Sequence, residues 1–319
     1  MVYLVYKKTW SNAAVRTSFI KNRTAAVILA VFCTLLWGTA FPFIKLGYAA
    51  FGVESVGDKL LFAGLRFGLA GLGVLAVACV RGRRFSLPDK RGVLPVLLLG
   101  LCQTFAQYLF TYIGIGMTSG ANTSIITACA AFFTVLAAPI FFKSDRLTWL
   151  KGLGCALGFV GVLLINRGGG LSAETLPGDL LILCSTVCAA AGNLLSKKIA
   201  VGRDPITVTA WQLLFGGALL AAVGLALGGR LDFSSVRGDL ILLWLAFVSA
   251  AAFAVWTALL KYHPASRITV FNLLVPIFGT VLSGLLLGEN VLRLDTAASL
   301  ALIAGGILLV NLSKPKEAK

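Results

Sequence analysis

Two cations stand inside apolar runs of this chain: Lys45 in TLLWGTAFPFIKLGY (34–48) and Arg66 in LLFAGLRFGLAGLG (60–73). A charge facing hydrocarbon costs several kcal/mol, so each must look to water, to a partner or to a bound group. Lys45 lies near one end of its run, where a long side chain can snorkel to headgroups or contact a solute or a gate. Arg66 is deeper and has no such exit. It is the best single candidate for a functional charge, the alternative being a structural role against carbonyls or polar side chains. Trp37 is too deep for an interfacial aromatic belt, so it lines a cavity or packs between helices. Pro42 removes one backbone hydrogen bond and allows a bend, which is either a gate hinge or simple shape.

A later run carries Gln103, Gln107 and Thr111 at i, i+4 and i+8, with Thr104, Tyr108 and Tyr112 beside them. Spacing by four puts the first three on one helix face. Amides buried in hydrocarbon need partners or water, and a polar face toward a wet cavity is favoured over glue between helices. Asn122 with Thr123, Asn193, Trp211 with Gln212, Trp256 with Thr257, and Asn272 are secondary candidates. The expected solute-contact set is Trp37, Arg66, Gln103, Gln107, Tyr108, Thr111, Asn122 and Trp256. Pro42 and Lys45 are expected at a gate or hinge.

Catalysis finds no footing here. The single histidine, His263, precedes Pro264, and there is no Gly-x-Ser-x-Gly elbow or His-Glu-x-x-His pair. All seven cysteines fall in apolar runs, so no disulfide framework is expected. Cys184 and Cys188 share a helix face without a histidine or carboxylate, so no metal site is expected either. No cofactor is called for. All twelve acidic residues lie in loops, tails or run ends. Intramembrane carboxylates are the usual proton relays and cation attractors, so their lack predicts a neutral, zwitterionic or anionic solute. Such a solute would move by its own gradient or by exchange.

The elements that must position these residues are long apolar runs. The chain is 58% hydrophobic and only 13% charged, which marks an integral membrane protein. Its 319 residues leave room for about ten spans of about 20 residues and no soluble domain. The runs fall at 25–50, 58–80, 93–113, 120–142, 149–166, 178–198, 206–228, 239–261, 266–288 and 295–312. The predicted class is therefore all-α, with ten transmembrane helices.

The net charge of +16 is spread between the runs and not gathered on one face, which excludes a nucleic-acid partner. Of the 28 lysines and arginines, 21 lie in the two tails and the even-numbered connections, and five in the odd-numbered ones. Positive residues are retained on the cytoplasmic side, so both termini are expected there. The first 24 residues are basic and polar, and are expected to be a cytoplasmic tail leading into an uncleaved first span. Residues 313–319 form the second tail.

The stretch 119–166 lines up with 264–311 at a constant offset of 145, where Gly161 meets Gly306, Leu163 and Leu164 meet Leu308 and Leu309, and Asn166 meets Asn311. Each half then holds five spans, 25–166 and 178–312. Five is odd, so the halves enter the membrane in opposite senses, an inverted repeat of the kind many transporters use. The pairs Gly64/Gly68, Gly154/Gly158 and Gly284/Gly288 fit close helix packing.

The order of WGTAFPFIK (37–45), LRF (65–67), SGANTSIITA (119–128), DRLT (145–148) and VPIFGTVLSGLLLGEN (275–290) resembles the ten-span EamA-type exporters of the drug/metabolite transporter superfamily. Ser144–Asp145 depart from a pair like Gly288–Glu289. The resemblance implies a basket of helices around a central cavity, with the fifth and tenth spans to the side. It also implies alternating access for small metabolites, including amino acids, across the plasma (inner) membrane, with export the expected direction. A broad drug exporter with an aromatic cavity is the alternative. Expected partners are the small-molecule substrate and the lipid bilayer; a homodimer is left open.

Overall fold

The computed structural model describes residues 18–80, 90–118, 120–165, 173–287 and 294–313, and no strand occurs among them. The helices are α1 (Arg23–Phe51), α2 (Val56–Val80), α3 (Lys90–Leu99), α4 (Gln107–Ile115), α5 (Gly120–Phe141) and α6 (Trp149–Ile165). They continue with α7 (Leu176–Ala200), α8 (Pro205–Ala226), α9 (Val236–Tyr262), α10 (Ala265–Thr269), α11 (Val275–Leu287) and α12 (Leu294–Leu312). A π-helical segment, Gly100–Ala106, joins α3 to α4, and a 3₁₀ segment, Val270–Leu274, joins α10 to α11. Expectations placed on the N-terminal tail before residue 18, on Gly288 and on the residues after 313 fall outside the described residues.

Six helical stretches among the described residues are long and apolar enough to cross a membrane: Arg23–Phe51, Val56–Val80, Gly92–Ile115, Leu176–Ala200, Pro205–Ala226 and Val236–Tyr262. Four shorter apolar stretches, Ile125–Phe141, Trp149–Leu164, Ala265–Gly279 and Ala297–Leu312, lie in the remaining runs. Their ends are set by local chemistry. Asn22 caps α1 by accepting from the Thr24 and Ala25 N–H groups, and Gly52 ends it with φ 62° in the left-handed region. Asp204 and Pro205 start α8, and Ser235 caps α9.

Lipid offers no hydrophobic drive between helices, so close approach of small residues must hold them together. α2 runs along α8 and α6 along α12; α1 packs on α9 and α11; α7 packs on α4 and α5; α2 also meets α9, and α8 meets the π segment. A Cβ on Gly64 would sit 2.3 Å from the Ala221 backbone nitrogen, and one on Gly154 2.6 Å from the Gly306 carbonyl oxygen. Gly158 abuts Leu273. The pairing expected at Gly64/Gly68 is uneven, because a Cβ on Gly68 meets nothing within 4 Å. Large apolar side chains such as Val80, Ile140 and Leu285 are exposed on the outside, where lipid would cover them.

Candidate functional site

Pro42 lies buried inside α1 and cannot donate to the Gly38 carbonyl. Gly38 is also a point of close approach to α11, since a Cβ there would stand 2.5 Å from Phe278 Cβ. One turn of α1 therefore combines a missing backbone bond with a tight helix contact. Trp37, beside Gly38, packs against two of the buried apolar clusters. Its ring meets Trp256 edge-on at 4.9 Å and Phe253 at 5.5 Å, both on α9.

Trp256 is buried and donates from Nε1 to Asn193 Oδ1 of α7 at 3.0 Å. Gln103 Nε2, from the π segment, reaches the same oxygen at 3.5 Å. Gln103 fits there because Gly192 has no side chain: a Cβ on Gly192 would be 2.6 Å from Gln103 Cβ. Gln103 and Trp256 are thus joined through Asn193, a secondary candidate that forms the hub, and Trp37 is linked to them through the Trp256 ring. Thr257 next to Trp256 links Thr209 of α8 at 3.1 Å and Ser196 of α7 at 3.4 Å.

Arg66, on α2, is 2% exposed. Its Nε donates to Ser249 Oγ of α9 at 2.9 Å, and Ser249 in turn donates to the Leu245 carbonyl at 3.0 Å. The Tyr112 hydroxyl of α4 and the Tyr48 hydroxyl of α1 lie close to the Arg66 guanidinium. The guanidinium also lies 4.9 Å from the Phe67 ring centre. Phe67 contacts Tyr108 at 4.4 Å and Phe253 at 6.3 Å, which connects the arginine to Trp37 through rings.

The regular spacing of Gln103, Gln107 and Thr111 is interrupted by the π segment, whose i→i+5 bonding adds a residue to the turn. Gln103 and Thr111 nevertheless both turn to α7, Thr111 Oγ1 standing 2.6 Å from Ser185 Oγ, while Gln107 is half-buried. Tyr108 turns to α2. Asn122 belongs to a different cluster. Its amide donates to both Asp179 oxygens at 3.1 Å, beside Thr118 and Thr175. Lys45 is exposed on α1, and Trp211 packs with Val96, Leu99, Ile199 and Val208.

Sequence reasoning missed Tyr48, Ser249 and Phe253, whose types are unremarked in apolar runs. It also treated Asp145 and Asp179 as loop or end residues, yet both are buried. Among the described residues, the buried atoms without a hydrogen-bond partner include Trp37 Nε1, Gln103 Oε1, Thr104 Oγ1 and both polar atoms of Gln212. No group of three or more His, Cys, Asp or Glu side chains suited to a metal occurs among the described residues.

One family model, described as the EamA-like transporter family, matches residues 24–167 and again 176–312. The chain belongs to this family. An uncharacterized transporter of Archaeoglobus fulgidus is 29% identical to it, over 89% of this chain and 97% of that one. A probable amino-acid metabolite efflux pump of Salmonella typhimurium is also 29% identical, covering 87% and 92%. The uncharacterized inner membrane transporter YedA of Escherichia coli is 28% identical over 88% of each. A solved crystal structure with 21% identity superposes with a TM-score of 0.78 over 91% of this chain and 99% of its own, a likeness of fold. The EamA-like protein is accordingly a multi-pass membrane transporter, and its family is one of transporters and not of enzymes.

Proposed function

We propose that this EamA-like transporter exports small metabolites, amino acids or related neutral, zwitterionic or anionic solutes, across the plasma membrane. It does so by alternating access between two inverted five-span repeats, with both termini cytoplasmic. The observation that carries the reading is the buried hub at Asn193. There, polar and aromatic side chains from both halves converge: Trp37 and Gln103 from the first, Asn193 and Trp256 from the second. Transporter sites are built where such repeats meet. Buried atoms left without partners, such as Trp37 Nε1 and Gln103 Oε1, are available to a solute's polar groups.

Support for ten spans and two repeats comes from the packing. Replacing each of the first five runs by the run five later turns the α1–α9 contact into that of α7 with α4 and the π segment. The same exchange turns α1–α11 into α7–α5 and returns α2–α8 and α6–α12 to themselves. The Salmonella relative's description as an amino-acid metabolite efflux pump supports the substrate class.

The ring-lined neighbourhood of Trp37, Phe67, Phe253 and Trp256 also suits a broad drug exporter. Arg66 within it disfavours cationic drugs. The test is uptake of labelled amino acids, organic anions and cationic dyes into liposomes holding the full chain. Saturable uptake of an amino acid or anion, reduced in Asn193→Leu, is expected. Uptake of cationic dyes alone would give the drug exporter.

A further inference from the structure

We propose that Arg66 is the anchor for a substrate carboxylate, so that the transported solute is a carboxylic acid or an amino-acid zwitterion. This deepens the reading above and rests on it, because it needs a solute path between the halves.

The guanidinium is buried, yet no carboxylate contacts it among the described residues. Its neighbours are the neutral hydroxyls of Ser249 and Tyr112 and the ring of Phe67. The ion pair found among the described residues, Lys151 with Asp145, involves other residues altogether. Arginine stays charged at any physiological pH. Neutral acceptors satisfy some of its five N–H donors but leave its charge uncompensated in a low-dielectric interior.

A counter-ion that arrives as cargo resolves this. A carboxylate matches the planar fork of the guanidinium with two parallel hydrogen bonds, which a neutral amide or an ester cannot reproduce. The hydroxyls of Tyr48 and Tyr112 lie close by. The remainder of the solute would lie against the ring wall from Phe67 and Phe253 to Trp37, whose indole N–H has no acceptor among the described residues. The residues come from α1, α2, α4 and α9, so the anchor spans both halves and senses their relative movement.

The experiment is counterflow in liposomes holding the full chain. The probes are matched triplets of an amino acid, its methyl ester and its decarboxylated amine, together with succinate and inorganic phosphate. At least one acid should exchange saturably, its ester and amine poorly. Arg66→Gln should lower transport of that acid by about thirtyfold or more, the lower end for removing one partner of a buried charged pair. Arg66→Lys, which keeps charge but not the fork, should retain part of it, and an unchanged thermal midpoint would show that the variants fold.

Equal transport of acid and ester, indifference to Arg66→Gln in a folded protein, or exchange of phosphate alone would overturn the carboxylate anchor while leaving a transporter. If no probe moves faster than in empty liposomes, and neutral and cationic solutes fail as well, the proposed metabolite export falls and the anchor with it.

Discussion

Asp145 and Ser266 lie 121 residues apart, yet the carboxylate of the first accepts the backbone N–H of the second at 3.0 Å. Ser266 Oγ donates to the same carboxylate, and Lys151 Nζ pairs with it at 2.6 Å. The turn between α5 and α6 is thereby fastened to the first turn of α10, joining the two matched segments of the chain.

Asp145 is 1% exposed, so its replacement leaves the buried Lys151 uncompensated. Asp145→Ala should lower stability by about 3–5 kcal/mol, the range for breaking a buried pair. Lys151→Ala should cost less, because both Ser266 donors still hold the carboxylate. Thermal or denaturant unfolding in detergent measures both, and equal losses would show that Ser266 contributes nothing.

The α2–α8 contact separates two glycines one turn apart. Gly64→Ala forces a methyl into the Ala221 backbone and should cost about 1–3 kcal/mol, as overpacking does. Gly68→Ala enters open space and should be neutral or gain up to about 1 kcal/mol from helix propensity. Paired melting curves distinguish them.

Asn193→Leu keeps approximate size but removes the acceptor of Trp256 Nε1 and Gln103 Nε2. Leaving a buried donor unsatisfied costs about 1–3 kcal/mol, so a loss of that size is expected, along with reduced transport. The indole emission of a variant that keeps only Trp256 among the tryptophans should shift when Asn193 is replaced.

Asp179 is fastened by Thr118, Asn122 and Thr175, with no cation contacting it among the described residues. Asn122→Ala removes two of these bonds and should destabilise by about 1.5–3 kcal/mol, the range for hydrogen bonds to a charged group. If Asn122 instead contacts solute, the variant will keep its melting midpoint and lose transport.

Much of the helical layout was legible because the bilayer demands long apolar stretches, and Arg66 stood out because a charge deep in such a stretch has no cheap explanation. The π segment was not legible: Gly100 to Ala106 contains ordinary span residues, and the segment packs against α7 and α8, partners that no local pattern names. Asp145 and Asp179 read only as acids in a connection and at a run end, a placement that says nothing of their burial. Their burial depends on partners far along the chain that no local pattern announces. Ser249 was hidden for the opposite reason, since a serine in an apolar run commonly bonds its own helix, as it also does here to Leu245.

The most direct test of the account is counterflow of labelled amino acids and organic anions through the purified chain in liposomes, run with and without an imposed pH gradient. Saturable exchange of an amino acid or anion that persists at equal pH on both sides is predicted. Movement of cationic dyes alone, or exchange that stops when the pH gradient is removed, would contradict it.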